Sequence, residues 1–210
     1  NVLLNRLFSH VVCYNVYIRK ETVMNHNHEL EFKTIISEVN YTSLIENYVL
    51  NDNIFLQTNH YFDTKELNLS NQSIVLRIRQ KGNRFFKLTI KSQQEDNAYE
   101  SHILLTPEQA KKMIEDGFET KDFFNDLDYH VYFVASIHNF RASMPYHQGV
   151  MYIDRCEYCG TVDYELEYEV TEFEEGYQQF LLFLEKHQIS KINTRRKSDR
   201  ALSCSIHIKK

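Results

Sequence analysis

Four short stretches of this chain place a charged side chain at every second position or nearly so. They are Glu29-Leu30-Glu31-Phe32-Lys33, Leu76-Arg77-Ile78-Arg79, Phe86-Lys87-Leu88-Thr89-Ile90-Lys91 and Tyr164-Glu165-Leu166-Glu167-Tyr168-Glu169-Val170. A period of two belongs to a β-strand, whose successive side chains point to opposite faces and whose same-face neighbours lie about 6.6 Å apart. Each stretch therefore carries polar and charged groups on one face and apolar groups on the other. One such row would suit an ordinary solvated strand. Four change the expectation, because alternate glutamates on one face repel each other and cationic rows on other strands are their natural complement. A sheet closed into a barrel, with these rows turned inward, brings the two signs together.

The rest of the chain supplies the parts for such a barrel. Strand patterns run over His28 to Ile35, Ile54 to Phe62, Ile74 to Gln80, Phe85 to Lys91, Tyr99 to Leu105, Tyr132 to Ser143, Val150 to Glu157 and Thr161 to Val170. Helical spacing appears in Glu38 to Leu50 behind Ser37 and again in Phe173 to His187. A third helix is bounded by the Thr106-Pro107-Glu108-Gln109 capping box and Gly117. The expectation is an α+β fold, an eight-stranded antiparallel β-barrel with surrounding helices. At 210 residues with 42% hydrophobic content and seven Gly plus Pro, one globular domain is the default. Residues 1–23 lack a clear period and precede Met24, which reads as a natural start, leaving 24–210 as the domain.

Composition narrows the partners. No apolar run reaches the roughly 20 residues of a membrane span, and the first 18 residues lack a signal-peptide cleavage site. A net charge of −5 argues against a broad nucleic-acid surface. Four scattered cysteines suit reduced thiols in a cytoplasmic protein, and Cys156-x-x-Cys159 has no second ligand pair to complete a zinc site. What remains is a local cationic cluster beside carboxylates. Arginine forks and lysine point charges match phosphate oxygens, while carboxylates hold hard ions such as Mg2+ or Mn2+. Together they fit a triphosphate-containing small molecule.

Glu29-Leu-Glu-Phe-Lys33 resembles the ExExK signature of the CYTH superfamily, the triphosphate tunnel metalloenzymes. The resemblance continues through Tyr61-Phe-Asp-Thr64, Leu76-Arg-Ile-Arg79, Leu88-Thr-Ile-Lys91, Asp154, Tyr164-Glu-Leu-Glu167 and Lys197-Ser198. It is strongest with the Gram-positive bacterial members that carry an adenylate cyclase label. The resemblance implies a tunnel in which Glu29, Glu31, Asp154, Glu165 and Glu167 hold Mg2+ or Mn2+, with Glu169 a weaker candidate. It also implies that Lys33, Arg77, Arg79, Lys91, Arg141 and Lys197 grip phosphates, with Lys87 on the same face as Lys91. Glu29, Glu31 and Lys33 are then the catalytic set. The activity implied is metal-dependent hydrolysis of a phosphoanhydride bond. Alternatives are cyclisation of ATP to cyclic AMP, which needs a pocket for the base, and a non-catalytic binding module.

Overall fold

The computed structural model describes residues 30–92 and 99–208, so the expectations for residues 1–23 and for Glu29 lie outside the described residues. In chain order the elements are β1 (Leu30–Ile36), α1 (Glu38–Asn47), β2 (Phe55–Asp63), α2 (Asn68–Asn71), β3 (Ile74–Lys81), β4 (Phe85–Ser92) and β5 (Tyr99–Leu105). They continue with α3 (Pro107–Asp116), β6 (Phe118–Glu119), β7 (His130–Tyr146), β8 (Gly149–Tyr158), β9 (Thr161–Val170), α4 (Phe173–Lys186) and α5 (Lys197–Ile208).

Local chemistry sets the helix ends. Ser37 Oγ accepts from the Asn40 amide at 3.1 Å and starts α1. Thr106 and Gln109 exchange both bonds of the capping box ahead of α3. That helix stops at Gly117, whose φ of 78° disfavours any residue with a side chain; a Cβ there would also lie 2.4 Å from the Val131 carbonyl oxygen. The turn after β2 is tied down by Asp63, whose carboxylate accepts from the amides of Thr64, Leu69 and Ser70 and from the Ser70 hydroxyl. Asp63 thus acts as a structural turn residue, in keeping with its sequence context.

All main-sheet pairings are antiparallel, in the order β1-β9-β8-β7-β2-β3-β4-β5, with β6 attached to β7. The apolar faces of the strands point outward and are covered by helices. Leu76, Ile78, Leu88 and Ile90 pack with Ala110 and Met113 of α3, while Ile153, Leu166 and Tyr168 pack with Leu44 of α1 and Phe180, Phe183 and Leu184 of α4. Phe180 and Phe183 are completely buried, and each contributes roughly 1.5 to 3 kcal/mol by leaving water.

The expectation of a closed barrel needs correction. Among the described residues β1 and β5 do not pair, so the eight-strand path is an open sheet. It is curled, because side chains from all eight strands line one cavity. The physical reason is the inner face. An apolar lining would draw the two edges together, whereas Glu31 and Lys33 on one edge and Glu100 and His102 on the other are charged or polar and favour a wet interior.

Candidate functional site

The cavity enclosed by the curled sheet has a volume of about 450 Å3 and takes its lining from the inward faces of the strands and from the start of α5. Strand register sorts the charges. On one side Glu31 lies opposite Glu169, and Lys33 lies opposite Glu167, across the β1/β9 pair. On the other, Arg79 lies opposite Lys87 and Arg77 opposite Thr89 across β3/β4. An acidic wall thus faces a cationic one.

The cationic wall is crowded with like charge. Burial and then the neighbouring Arg77 and Arg141 charges push Arg79 below the usual arginine range, and Arg79 Nε donates to Asn59 Oδ1 at 3.0 Å. Lys87 is pushed below the usual lysine range by burial and by Arg79, and Lys81 likewise. Lys91 has Glu100 at 3.7 Å. An anion placed among these cations would relieve that cost.

Between the walls, three buried carboxylates are matched by three cations. Arg141 grips Asp154 with a fork, Nε to Oδ1 at 2.7 Å and Nη2 to Oδ2 at 2.6 Å, and also contacts Glu167. Its guanidinium lies over the Tyr152 ring at 4.3 Å. Lys197, at the start of α5, places Nζ 2.9 Å from both Asp154 and Glu165 and against Glu167. One turn further along, Arg200 reaches Glu165 at 2.6 Å and Asp163 at 3.0 Å. Burial opposes ionisation of Glu167, yet Lys197 and Arg141 together hold its carboxyl well below the usual range; burial pushes Glu165 the other way. Burial also disfavours the Lys197 charge, and Asp154, Glu167 and Glu165 outweigh it, so the ammonium is retained.

Nine of the residues expected from sequence line the cavity: Glu31, Lys33, Arg77, Arg79, Lys87, Lys91, Arg141, Glu167 and Lys197. Glu169 joins them. Asp154 and Glu165 are fully buried in the network behind the lining. Glu29 lies outside the described residues. Sequence reasoning did not single out Arg200 or Asn59. Asn59 had a signal, since Gln57, Asn59 and Tyr61 alternate on β2 and all three face inward. Arg200 had one only once Lys197 was known to open a helix.

Carboxylate oxygens are the right donors for a hard divalent ion. Among the described residues no three His, Cys, Asp or Glu side chains converge into a ready cage. Mg2+ does not require one, as it commonly takes one or two carboxylates and completes its shell with substrate phosphate and water. Glu31 and Glu169, matched in register and sharing the cavity, form a like-charge pair that such an ion would relieve. The donor set fits.

Comparison with known proteins agrees with this architecture. A Bacillus subtilis (strain 168) protein named "Putative triphosphatase YjbK" is 28% identical over 180 residues, covering 83% of this chain and 94% of the relative. A Bacillus halodurans crystal structure described as a "putative adenylate cyclase" is 30% identical, with a TM-score of 0.73, covering 82% of this chain and 96% of the other. A Hippeastrum protein described as a "putative adenylyl cyclase" with a dominant triphosphatase activity shares the fold at 22% identity and a TM-score of 0.66, over 81% of this chain and 93% of its own. The CYTH domain matches residues 27–202, nearly the whole described structure, and the chain therefore belongs to the CYTH domain family.

Proposed function

We propose that the protein hydrolyses a phosphoanhydride bond of an inorganic or small organic triphosphate held in the cavity. The observation that carries this reading is the opposition, within one cavity, of an acidic wall on β1/β9 and a cationic wall on β3/β4. Arg77, Arg79, Lys87 and Lys91 bind phosphate oxygens, the arginines by paired hydrogen bonds and the lysines as point charges. Glu31 and Glu167, with Glu29 of the same signature and Glu169 beside them, hold Mg2+ or Mn2+. When bound, the ion neutralises phosphate charge and lowers the pKa of a coordinated water, so that no protein nucleophile is needed.

Lys33 stands between the two kinds of charge, its Nζ 2.8 Å from Glu31 Oε1, and orients that carboxylate. Arg141 and Lys197 line the cavity and face the phosphates while balancing Asp154, Glu165 and Glu167. Asp154 and Glu165 join the metal set only when Lys197 leaves their oxygens for a phosphate and the bonds from Arg141 and Arg200 give way.

Cyclisation of ATP is a second reading with one observation in its favour. A neighbouring cavity of about 260 Å3 shares Tyr61, Val75 and Arg196 with the first and adds Ser70, Ser73 and Asp199. It offers room for an organic group attached to the phosphates. Phosphate release from tripolyphosphate, thiamine triphosphate and ATP, each with Mg2+ and with Mn2+, and cyclic AMP assayed in parallel, separates the readings. Release from tripolyphosphate or thiamine triphosphate exceeding cyclic AMP formation is expected; cyclic AMP from ATP with negligible phosphate release would move the assignment to a cyclase.

A further inference from the structure

Five threonines are buried in the described structure, and four have their hydroxyls paired. Thr34 contacts the backbone of Ser190 and Ile192, Thr58 contacts His138, Thr64 accepts from Asn68 and Thr120 donates to Leu127. Thr89 is the exception: it is 1% exposed, and its Oγ1 is buried without a hydrogen-bond partner. Among the described residues the only other such side-chain atom is Arg200 Nε, and it has Asp163 Oδ2 at 3.0 Å. Buried hydroxyls are normally satisfied, because one left unpaired bears the full loss of its hydration.

The location says what is missing. Thr89 lies at the centre of β4 and lines the cavity, with Lys87 and Lys91 two residues away on the same face. Its partner in register on β3 is Arg77, and on β5 it is His102; both line the same cavity. A hydroxyl can donate or accept; Lys87, Lys91 and Arg77 around this one outnumber the single carboxylate nearby, Glu100, which is paired with Lys91, so the species drawn into the space it faces is an anion, to which it donates. We infer that Thr89 is a substrate-binding residue whose hydroxyl donates to a phosphate oxygen of the bound triphosphate. The inference rests on the triphosphate reading above and adds to the four cations a neutral donor that fixes the oxygen's position rather than its charge.

Thr89→Val tests this, since it keeps the branched shape and removes the hydroxyl; Thr89→Ser keeps the hydroxyl. The measurements are calorimetric titration with tripolyphosphate in the absence of metal and thermal unfolding of the ligand-free protein. For Thr89→Val, Kd is expected to rise about tenfold or more, the loss typical of a hydrogen bond to a charged group. The Tm of the ligand-free protein is expected to hold or rise, because an unpaired buried hydroxyl has been removed. Thr89→Ser should bind within about threefold of wild type by the same reasoning. Wild-type binding with Thr89→Val inside twofold would overturn this inference alone. Weaker binding with a lowered Tm in both variants would also overturn it, as the mark of a packing residue. A wild-type protein that binds no tripolyphosphate would overturn the proposed function and this inference with it.

Discussion

Glu31 on β1 and Glu169 on β9 occupy matched positions in the register of the sheet and line the same cavity. Two carboxylates so placed repel one another, and a divalent ion converts that repulsion into attraction.

Glu31→Gln should therefore abolish phosphate release while leaving the fold intact. The change removes a charge from a polar cavity wall and no apolar contact, so turnover should fall by at least about 100-fold, in the range of other losses of electrostatic catalysis, with Tm unchanged or slightly raised. Parallel rate and thermal-unfolding measurements check both halves. Near-native metal-dependent turnover in this variant would remove Glu31 from the site.

Arg77→Ala and Arg79→Ala should each weaken tripolyphosphate binding about tenfold or more, and Lys91→Arg should weaken it less. Loss of a guanidinium forfeits charge-assisted hydrogen bonds worth about 1.5 to 3 kcal/mol, whereas the lysine change keeps its charge. Calorimetry on the three variants gives the order directly.

Affinity for tripolyphosphate should fall as pH rises through the alkaline range, because Lys87, held below the usual lysine range by burial and by Arg79, loses its proton there while the arginines stay charged. Folding stability carries the opposite sign. A base whose folded-state pKa is depressed costs stability while it is charged in both states. Between the lowered folded-state value of Lys87 and its ordinary one the unfolded state holds more protons, so this contribution improves with pH. Titrations across alkaline pH should show weakening that Lys87→Arg reduces and Glu108→Gln, at an exposed α3 position, does not.

Lys197→Met should destabilise the protein by roughly 3 to 5 kcal/mol, the typical cost of removing one partner from a buried ion pair. Asp154, Glu165 and Glu167 would keep only Arg141 and Arg200. Denaturant unfolding should show the loss at pH 7 and a smaller one at acid pH, where the orphaned carboxylate can take a proton.

Local patterns carried most of the sheet. The charge rows on β1, β3, β4 and β9 were legible because a period of two leaves one face uniform, and α3 was legible because both ends have specific caps. Whether the sheet closes was not, since pairing of β1 with β5 depends on residues some seventy positions apart and on the width that a charged interior imposes. Helix α5 was hidden as well. Its opening Lys197 follows a run of polar residues with no capping pattern, and among its residues of described burial, 197–204, only Ala201 and Ser198 are deeply buried. Asp154 was visible as a carboxylate, yet its fork with Arg141 depends on the β7/β8 register, which no local pattern specifies.

Helix α5 supplies two of the three cations that balance Asp154, Glu165 and Glu167, and it is made after every strand of the sheet. A ribosome that has synthesised β9 has committed three carboxylates to the interior with Arg141 alone against them, an excess of two negative charges. The nascent domain is electrostatically incomplete until α5 docks. A product cut short before Lys197 would keep every strand of the sheet and still expose itself, through that imbalance, to quality control.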